Sequence, residues 1–199
     1  MIRCMLESSD GSIRTGGSEL LIEWQRNREG KFWLDVQEED TSGERKLLER
    51  LGLHTLAVQD AQRDRHPPKL EEFDDFTFVL YRGIASFNAE LEHDSQNIAF
   101  FVGHNFLITR HPKQAASIEK LFSDQGAALL KQGPGFLALR IMHTSAGLYL
   151  DALLKFEERL SDIEDALMTN GNDDLMRELV TYRTRLVKLR RLFNYHKNI

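Results

Sequence analysis

The chain has 199 residues, of which 41% are hydrophobic and 29% charged, enough for one sizeable core with an appended element. A formal net charge of -5 argues against general affinity for nucleic acid or an anionic membrane, and the single cysteine, Cys4, excludes an intramolecular disulfide. The N-terminus is interrupted by Arg3, Glu7 and Asp10, so no signal peptide is expected, and no run of roughly 20 apolar residues offers a membrane span.

Residues 2–6, 20–24 and 31–36 read as short strands separated by the turn-formers Asp10-Gly11, Thr15-Gly16-Gly17 and Glu29-Gly30, an N-terminal meander. Residues 44–51 put Leu47, Leu48 and Leu51 on one helical face, with Gly52 as a left-handed stop. The Thr55 hydroxyl is then placed to cap a short helix through Leu56, Ala57, Val58 and Asp60. His66-Pro67-Pro68 forbids helix and restarts the chain in extended form, with a turn at Asp74-Asp75 and a strand over residues 76–82. That strand is apolar on both sides of its alternation, which predicts a central strand with helices on either face.

Residues 98–102 and 106–109 read as a hairpin around Gly103-His104-Asn105, and 113–123 as a helix with Ile118, Leu121 and Phe122 inward. From Gly133-Pro134 the period changes. Leu139, Met142, Ala146, Tyr149, Leu153, Phe156, Leu160, Ile163 and Leu167 recur at steps of three and four, the seam of a helix about thirty residues long. Asn170-Gly171 marks a stop, Asn172 a cap, and a second helix continues through Leu175, Leu179, Tyr182, Leu186, Leu189 and Phe193. The first helix is acidic near the turn and the second basic, which predicts opposite charges side by side. The expected fold is therefore α/β: a mixed central sheet covered by helices, an αβα sandwich over residues 1–132, followed by a long antiparallel helical hairpin over 133–199.

Chemistry is sparse. The seven histidines show no HxxxH or HxH ligand spacing, and no Gly-x-Ser-x-Gly or phosphate-cradling glycine loop is present, so neither an enzyme nor an organic cofactor is expected. His143 beside the helical seam reads as a hydrogen-bonded packing residue. Arg65, Lys69, Glu71, Glu72, Asp74 and Asp75 read as a surface ion-pair network. The arginine-rich last helix has no aromatic interleaving, so a solvated face is the reading there and no nucleic-acid partner is expected. Glu90, Glu92 and Asp94 are candidate ligands for a hard cation such as Mg²⁺, set against the plainer reading of a solvated hairpin loop.

The order and spacing of Leu51, Gly52, Leu53, His54, Leu56, Ala57, Asp60 and Ala61, then Arg65, Pro68, Lys69, Glu71, Asp74, Asp75 and Arg82, resembles the signature of the soluble domain of CorA-type divalent-cation channels, with the zinc-transporting ZntB branch as a more distant relative. The resemblance implies a regulatory domain on the cytoplasmic face of the inner membrane, itself soluble, coupling intracellular divalent metal to pore gating. It further implies Mg²⁺ as cargo, with Co²⁺, Ni²⁺ or Zn²⁺ as alternatives, and self-association as a homopentamer with regulatory Mg²⁺ between neighbouring domains. The stalk, the membrane helices and the Gly-Met-Asn pore signature of such proteins are absent from these residues, so the membrane is expected to be reached through a missing C-terminal part. Asn88 stands where some relatives carry a regulatory aspartate, which shifts the expected metal site to Glu90, Glu92 or Asp94. The alternative reading is a stand-alone soluble protein whose helical hairpin docks a partner.

Overall fold

The computed structural model describes residues 1–37, 40–64, 66–87, 92–170, 173–197 and 199. Its centre is a seven-stranded sheet in the order β2-β1-β3-β7-β6-β5-β4, made of β1 (Ile2–Glu7), β2 (Ile13–Gly16), β3 (Lys31–Gln37), β4 (Lys69–Glu72), β5 (Phe76–Phe87), β6 (His93–Gly103) and β7 (Phe106–His111). Only β3 and β7 run parallel, so the sheet is mixed, as expected. Alternation along the strands feeds two cores. Phe32, Leu34, Phe78, Leu80 and Phe101 face one way and meet α1 (Ser18–Asn27), α2 (Thr41–Arg50) and α3 (Thr55–Ala61). Trp33, Val79, Tyr81, Ile98 and Phe100 face the other and meet α4 (Ala116–Asp124), α5 (Gly126–Gln132) and the first turns of α6 (Pro134–Asn170).

Several expectations need correction. Residues 20–24 form helix, not strand. Leu20, Leu21 and Trp24 lie on one helical face and are buried, whereas Ile22, which an alternating strand would have buried with them, is exposed. Thr15 and Gly16, expected to be turn-formers, belong with Ile13 and Arg14 to β2, which pairs with β1. The cap of α3 is His54, whose Nδ1 accepts the Leu56 N–H at 3.3 Å, and Thr55 is already helical. Residues 113–115 precede α4, and α5 follows it as a separate helix. β5 is one strand in from the edge, not central: helices cover both faces even there, so apolar alternation reports layers and not position. Gly52 adopts the expected left-handed conformation, with φ +89°.

The 37 residues of α6 span about 55 Å, and α7 (Asp173–His196) runs back alongside. The pairing is antiparallel: Tyr149 meets Phe193, Phe156 meets Tyr182 at 5.4 Å edge to face, and Arg159 binds Glu178 at 2.9 Å. Leu160, Ile163 and Leu167 of α6 close the distal seam with Leu175, Leu179 and Leu186 of α7. The Gly171 stop and the Asn172 cap lie outside the described residues. At its start α6 buries Leu137, Ala138 and Ile141 and leaves Leu139 64% exposed, because its partner there is the sheet and not α7. His143 is likewise exposed, and is not the packing residue expected. The cross-helix pair Arg159–Glu178 has the opposite sense to the predicted one: the cation is on α6 and the carboxylate on α7.

Inside the sheet, Asp35 of β3 is 1% exposed and joins Arg3 at 2.8 Å, His111 at 3.0 Å and the Thr109 hydroxyl. Arg3 in turn forks onto Glu119 of α4, which ties β1 to the helical layer. Burial alone would raise the Asp35 pKa, but His111, Arg3 and Thr109 outweigh it and hold the carboxyl below its ordinary value. A depressed carboxylate contributes stability that is complete above its unfolded pKa, about 3.9, and is lost as pH falls through the folded value. Asp35→Asn is therefore expected to lower the melting temperature at pH 7, with the gap to the native chain narrowing between pH 5 and pH 3. A gap independent of pH would contradict the charged network.

Ile163 is fully buried in the hairpin seam. Ile163→Asp is expected to destabilise by about 3 kcal/mol or more, through an unpaired buried charge. Met168→Asp, at a position 89% exposed, should be close to neutral. Equal melting curves for the two variants would refute the seam.

Candidate functional site

Pro67 and Pro68 fix where the site forms. Neither can donate to a ladder, so β4 begins only at Lys69, which pairs with Leu80 of β5. Beyond Leu80 the outer edge of β5 has no neighbouring strand among the described residues, and its backbone groups need other partners. At Arg82 the hairpin supplies both. The Arg82 N–H donates to His196 Nε2 of α7 at 3.2 Å, and the Arg82 carbonyl accepts the Tyr149 hydroxyl of α6 at 2.7 Å. His196 also stacks on Tyr81, with ring centroids 4.6 Å apart. Further along, Ile84 packs among Tyr149, Leu189 and Leu192.

The Arg82 side chain turns to the loop before β4. Its Nε donates to Ser95 Oγ at 3.0 Å, and its Nη1 to the Asp64 carbonyl at 2.8 Å and to Asn97 Oδ1 at 3.0 Å. Asn97, opposite Arg82 on β6, donates back to the Arg63 carbonyl at 3.0 Å. One residue thus joins two strands, a loop and both arms of the hairpin.

Burial holds the His196 imidazole below its ordinary pKa, and the nitrogen that accepts the Arg82 N–H is the unprotonated one. Burial also raises the Tyr149 pKa, in keeping with a phenol that remains a donor.

The acidic candidates fare differently. Glu90 lies outside the described residues, as do Asn88 and Arg65. Glu92 binds Arg185 of α7 at 2.7 Å, and Asp94 pairs with Lys113. Among the described residues no group of three or more His, Cys, Asp or Glu side chains could hold a metal ion. A hard cation asks for several oxygen ligands, so the described residues of a single chain do not fit a complete Mg²⁺ site. Of the expected surface network only the pair Lys69–Glu71, at 2.8 Å, forms among the described residues; the other partner of Lys69 is Asp60, at 2.5 Å, which also binds Arg63, and Glu72, Asp74 and Asp75 enter no ion pair there. Cys4 is buried, and its thiol is pushed up to about 12 by burial, far from the thiolate that a nucleophile requires. The Asp35–His111 pair is shut inside the sheet.

The profile of the family described as CorA-like Mg²⁺ transporter protein matches residues 29–199. The chain belongs to this family. Among curated proteins, this CorA-like chain is 28% identical over 162 residues to "Putative metal ion transporter YfjQ" of Bacillus subtilis, covering 80% of the chain and 50% of that protein. It is 24% identical over 160 residues to the cobalt/magnesium transport protein CorA of Methanocaldococcus jannaschii, covering 78% and 50%. The chain thus spans about half the length of the curated relatives it matches. In fold it is similar to the soluble domain of CorA from Methanocaldococcus jannaschii, with a TM-score of 0.78 at 19% identity over 98% of the chain and 76% of that structure. No helix among the described residues is long and apolar enough to cross a membrane.

Sequence reasoning found Arg82 as the end of the family signature but missed His196, which meets it across 114 residues. The only available signals were a histidine near the end of the second helical seam and an edge strand shortened by prolines.

The hairpin dock carries a pH dependence. A base with a depressed folded pKa stabilises fully above its unfolded value, about 6.5, and that stability declines as pH falls below it. The melting temperature is therefore expected to drop between pH 7.5 and pH 5.5. His196→Phe, which keeps the stack on Tyr81 but accepts no hydrogen bond, should flatten the drop. An unchanged slope in this variant would remove His196 from the account.

Proposed function

We propose that this chain is the regulatory, aqueous part of a CorA-like divalent-cation transport protein at the cytoplasmic face of the cell membrane, acting by binding and transmission and not by catalysis. Its cargo would be Mg²⁺, with Co²⁺, Ni²⁺ or Zn²⁺ as alternatives. It would self-associate, as a pentamer in the whole protein, and pass changes in subunit packing through the hairpin to a pore-forming part. The family match over residues 29–199 carries this reading. The names of both curated relatives, one a metal ion transporter and one a cobalt/magnesium transport protein, support the choice of cargo.

Within the proposal, Glu90, Glu92 and Asp94 are the side chains assigned to a regulatory Mg²⁺ shared between subunits. In one chain Glu92 and Asp94 already face Arg185 and Lys113, so the metal competes with two cations and needs oxygens from a neighbouring copy. A ligand shifts a two-state equilibrium only by its difference in affinity between the states, and carboxylates completed only across an interface supply such a difference.

A second reading, a stand-alone interaction protein that docks a partner helix, is favoured by the apolar groove of about 670 Å³ along the hairpin, lined by Leu153, Phe156, Leu160, Leu186, Val187 and Phe193. Uptake measurements in a transport-deficient strain separate the two. The complete gene product is expected to restore Mg²⁺ uptake, and internal Mg²⁺ should inhibit it with a midpoint raised several-fold by Glu92→Gln with Asp94→Asn. Absence of uptake of any of the four ions would sink the transport reading; uptake with an unmoved midpoint would sink the assignment of these carboxylates.

A further inference from the structure

A second cleft opens on the other side of Arg82. It has a volume of about 700 Å³ and lies between the proline loop before β4, the ends of β5 and β6, and the last turns of α7. The α7 wall is set by helical spacing: Lys188, Arg191, Leu192 and Tyr195 stand at i, i+3, i+4 and i+7, on one face. Leu192 is buried and fixes that face toward the sheet. Opposite stand His66, Arg82 and Ser95, and Pro67 with Pro68 closes one side.

The charges here run against those of the whole chain, whose net charge is -5. Arg82, Lys188 and Arg191 line the cleft against one carboxylate, Asp94, which already pairs with Lys113. Lys188 and Arg191 are exposed and have no ion-pair or hydrogen-bond partner among the described residues. Arg82 makes no ion pair among the described residues: its Nε and Nη1 go to neutral oxygens, and its Nη2 has no partner there.

An adjoining lobe of about 560 Å³ shares Arg82 and Ser95 and is also basic. Its other cations, however, are already neutralised: Arg63 by Asp60, Arg110 by Glu44 and Lys113 by Asp94. Among the described residues of the two lobes, the unmatched positive charge is therefore confined to the cleft under α7.

We propose that this cleft binds a small soluble phosphate-bearing anion, held between Arg82 on the sheet and Lys188 and Arg191 on α7. Three cations with the Ser95 and Tyr195 hydroxyls match a group with several charged oxygens, and a guanidinium fork suits phosphate geometry. The volume exceeds that of a lone phosphate, and the flat walls of Tyr195, Pro67 and Pro68 leave room for an uncharged moiety, so a polyphosphate or phosphate ester is the class of ligand. Because its contacts come from both sides, the bound anion holds α7 against β5 and β6. The inference does not rest on the transport reading, since binding alone tests it.

The experiment uses inorganic pyrophosphate and ATP as probes in metal-free buffer, read by isothermal titration and by thermal shift at low salt and at physiological ionic strength. Saturable binding of one anion per chain is expected, with a raised melting temperature. Lys188→Gln with Arg191→Gln should weaken binding at least about tenfold through the loss of two charge-assisted contacts, while leaving the melting temperature of the free chain nearly unchanged. Arg177→Gln, an exposed cation at the far end of α7, should have no effect on binding. No saturable binding of either probe overturns the proposal, as does equal weakening by Arg177→Gln or full affinity in the double variant. Flotation with vesicles of anionic phospholipid, in the absence of binding to the soluble probes, also overturns it. Should the double variant melt early, Lys188→Gln alone carries the same comparison.

Discussion

The free edge of β5 is the constraint around which the molecule is arranged. A strand edge left bare in a sandwich invites another strand, and here two prolines prevent β4 from covering it beyond Leu80. The remedy is unusual in kind. Side chains from two helices, Tyr149 and His196, take the hydrogen-bonding positions that a neighbouring strand would have filled at Arg82. The hairpin is thus held to the sheet by directional contacts as well as by apolar burial at Ile84, Tyr149, Leu189 and Leu192. Directional contacts fix a register. Apolar packing alone would let α7 slide by a turn at little cost.

The sequence was most readable where one physical signal dominated. The three-and-four spacing from Met142 to Phe193 predicted the hairpin, because long helices repeat their partner's imprint every turn. The restart at His66-Pro67-Pro68 and the left-handed Gly52 followed from backbone sterics alone. Readability failed where two periods coincide over a short stretch. Leu20, Leu21, Ile22 and Trp24 satisfy a strand if Leu20, Ile22 and Trp24 are counted, and a helix if Leu20, Leu21 and Trp24 are; burial against the sheet chose the second. Strand order was illegible for a related reason. In a sandwich with helices on both faces, a strand near the edge is as apolar as one in the middle, so Phe76 to Arg82 carried no information about its place.

The site was legible in part. Arg82 stood in the family signature, and the acidic residues near it drew notice by composition. Their partners did not, because pairing across 93 residues, as between Glu92 and Arg185, leaves no local trace. Charge counting even misled along the hairpin: the net signs of the two helices predicted one sense of pairing, yet the bonded pair is Arg159 with Glu178. Net charge describes a field, whereas an ion pair depends on which two side chains face each other across the seam.

Placed together, these contacts make α7 the element with divided loyalties. Its distal half is bound to α6 through Tyr182, Leu179 and Leu186, and its last turns to the sheet through Leu192 and His196. Between the two runs a stretch of basic residues whose cations, at Lys188 and Arg191, face a cleft in which the one carboxylate, Asp94, is already paired with Lys113. Uncompensated like charges facing Arg82 repel, so in the absence of an anion the electrostatics at this point work against the dock that His196 and Tyr149 maintain. Small changes in charge at the junction, by protonation of His196 or neutralisation of the cleft, therefore act on the same contact surface with opposite signs. An element held by apolar and hydrogen-bonded contacts against a local repulsion is close to balance, which is the condition under which a modest difference in ligand affinity moves a helix.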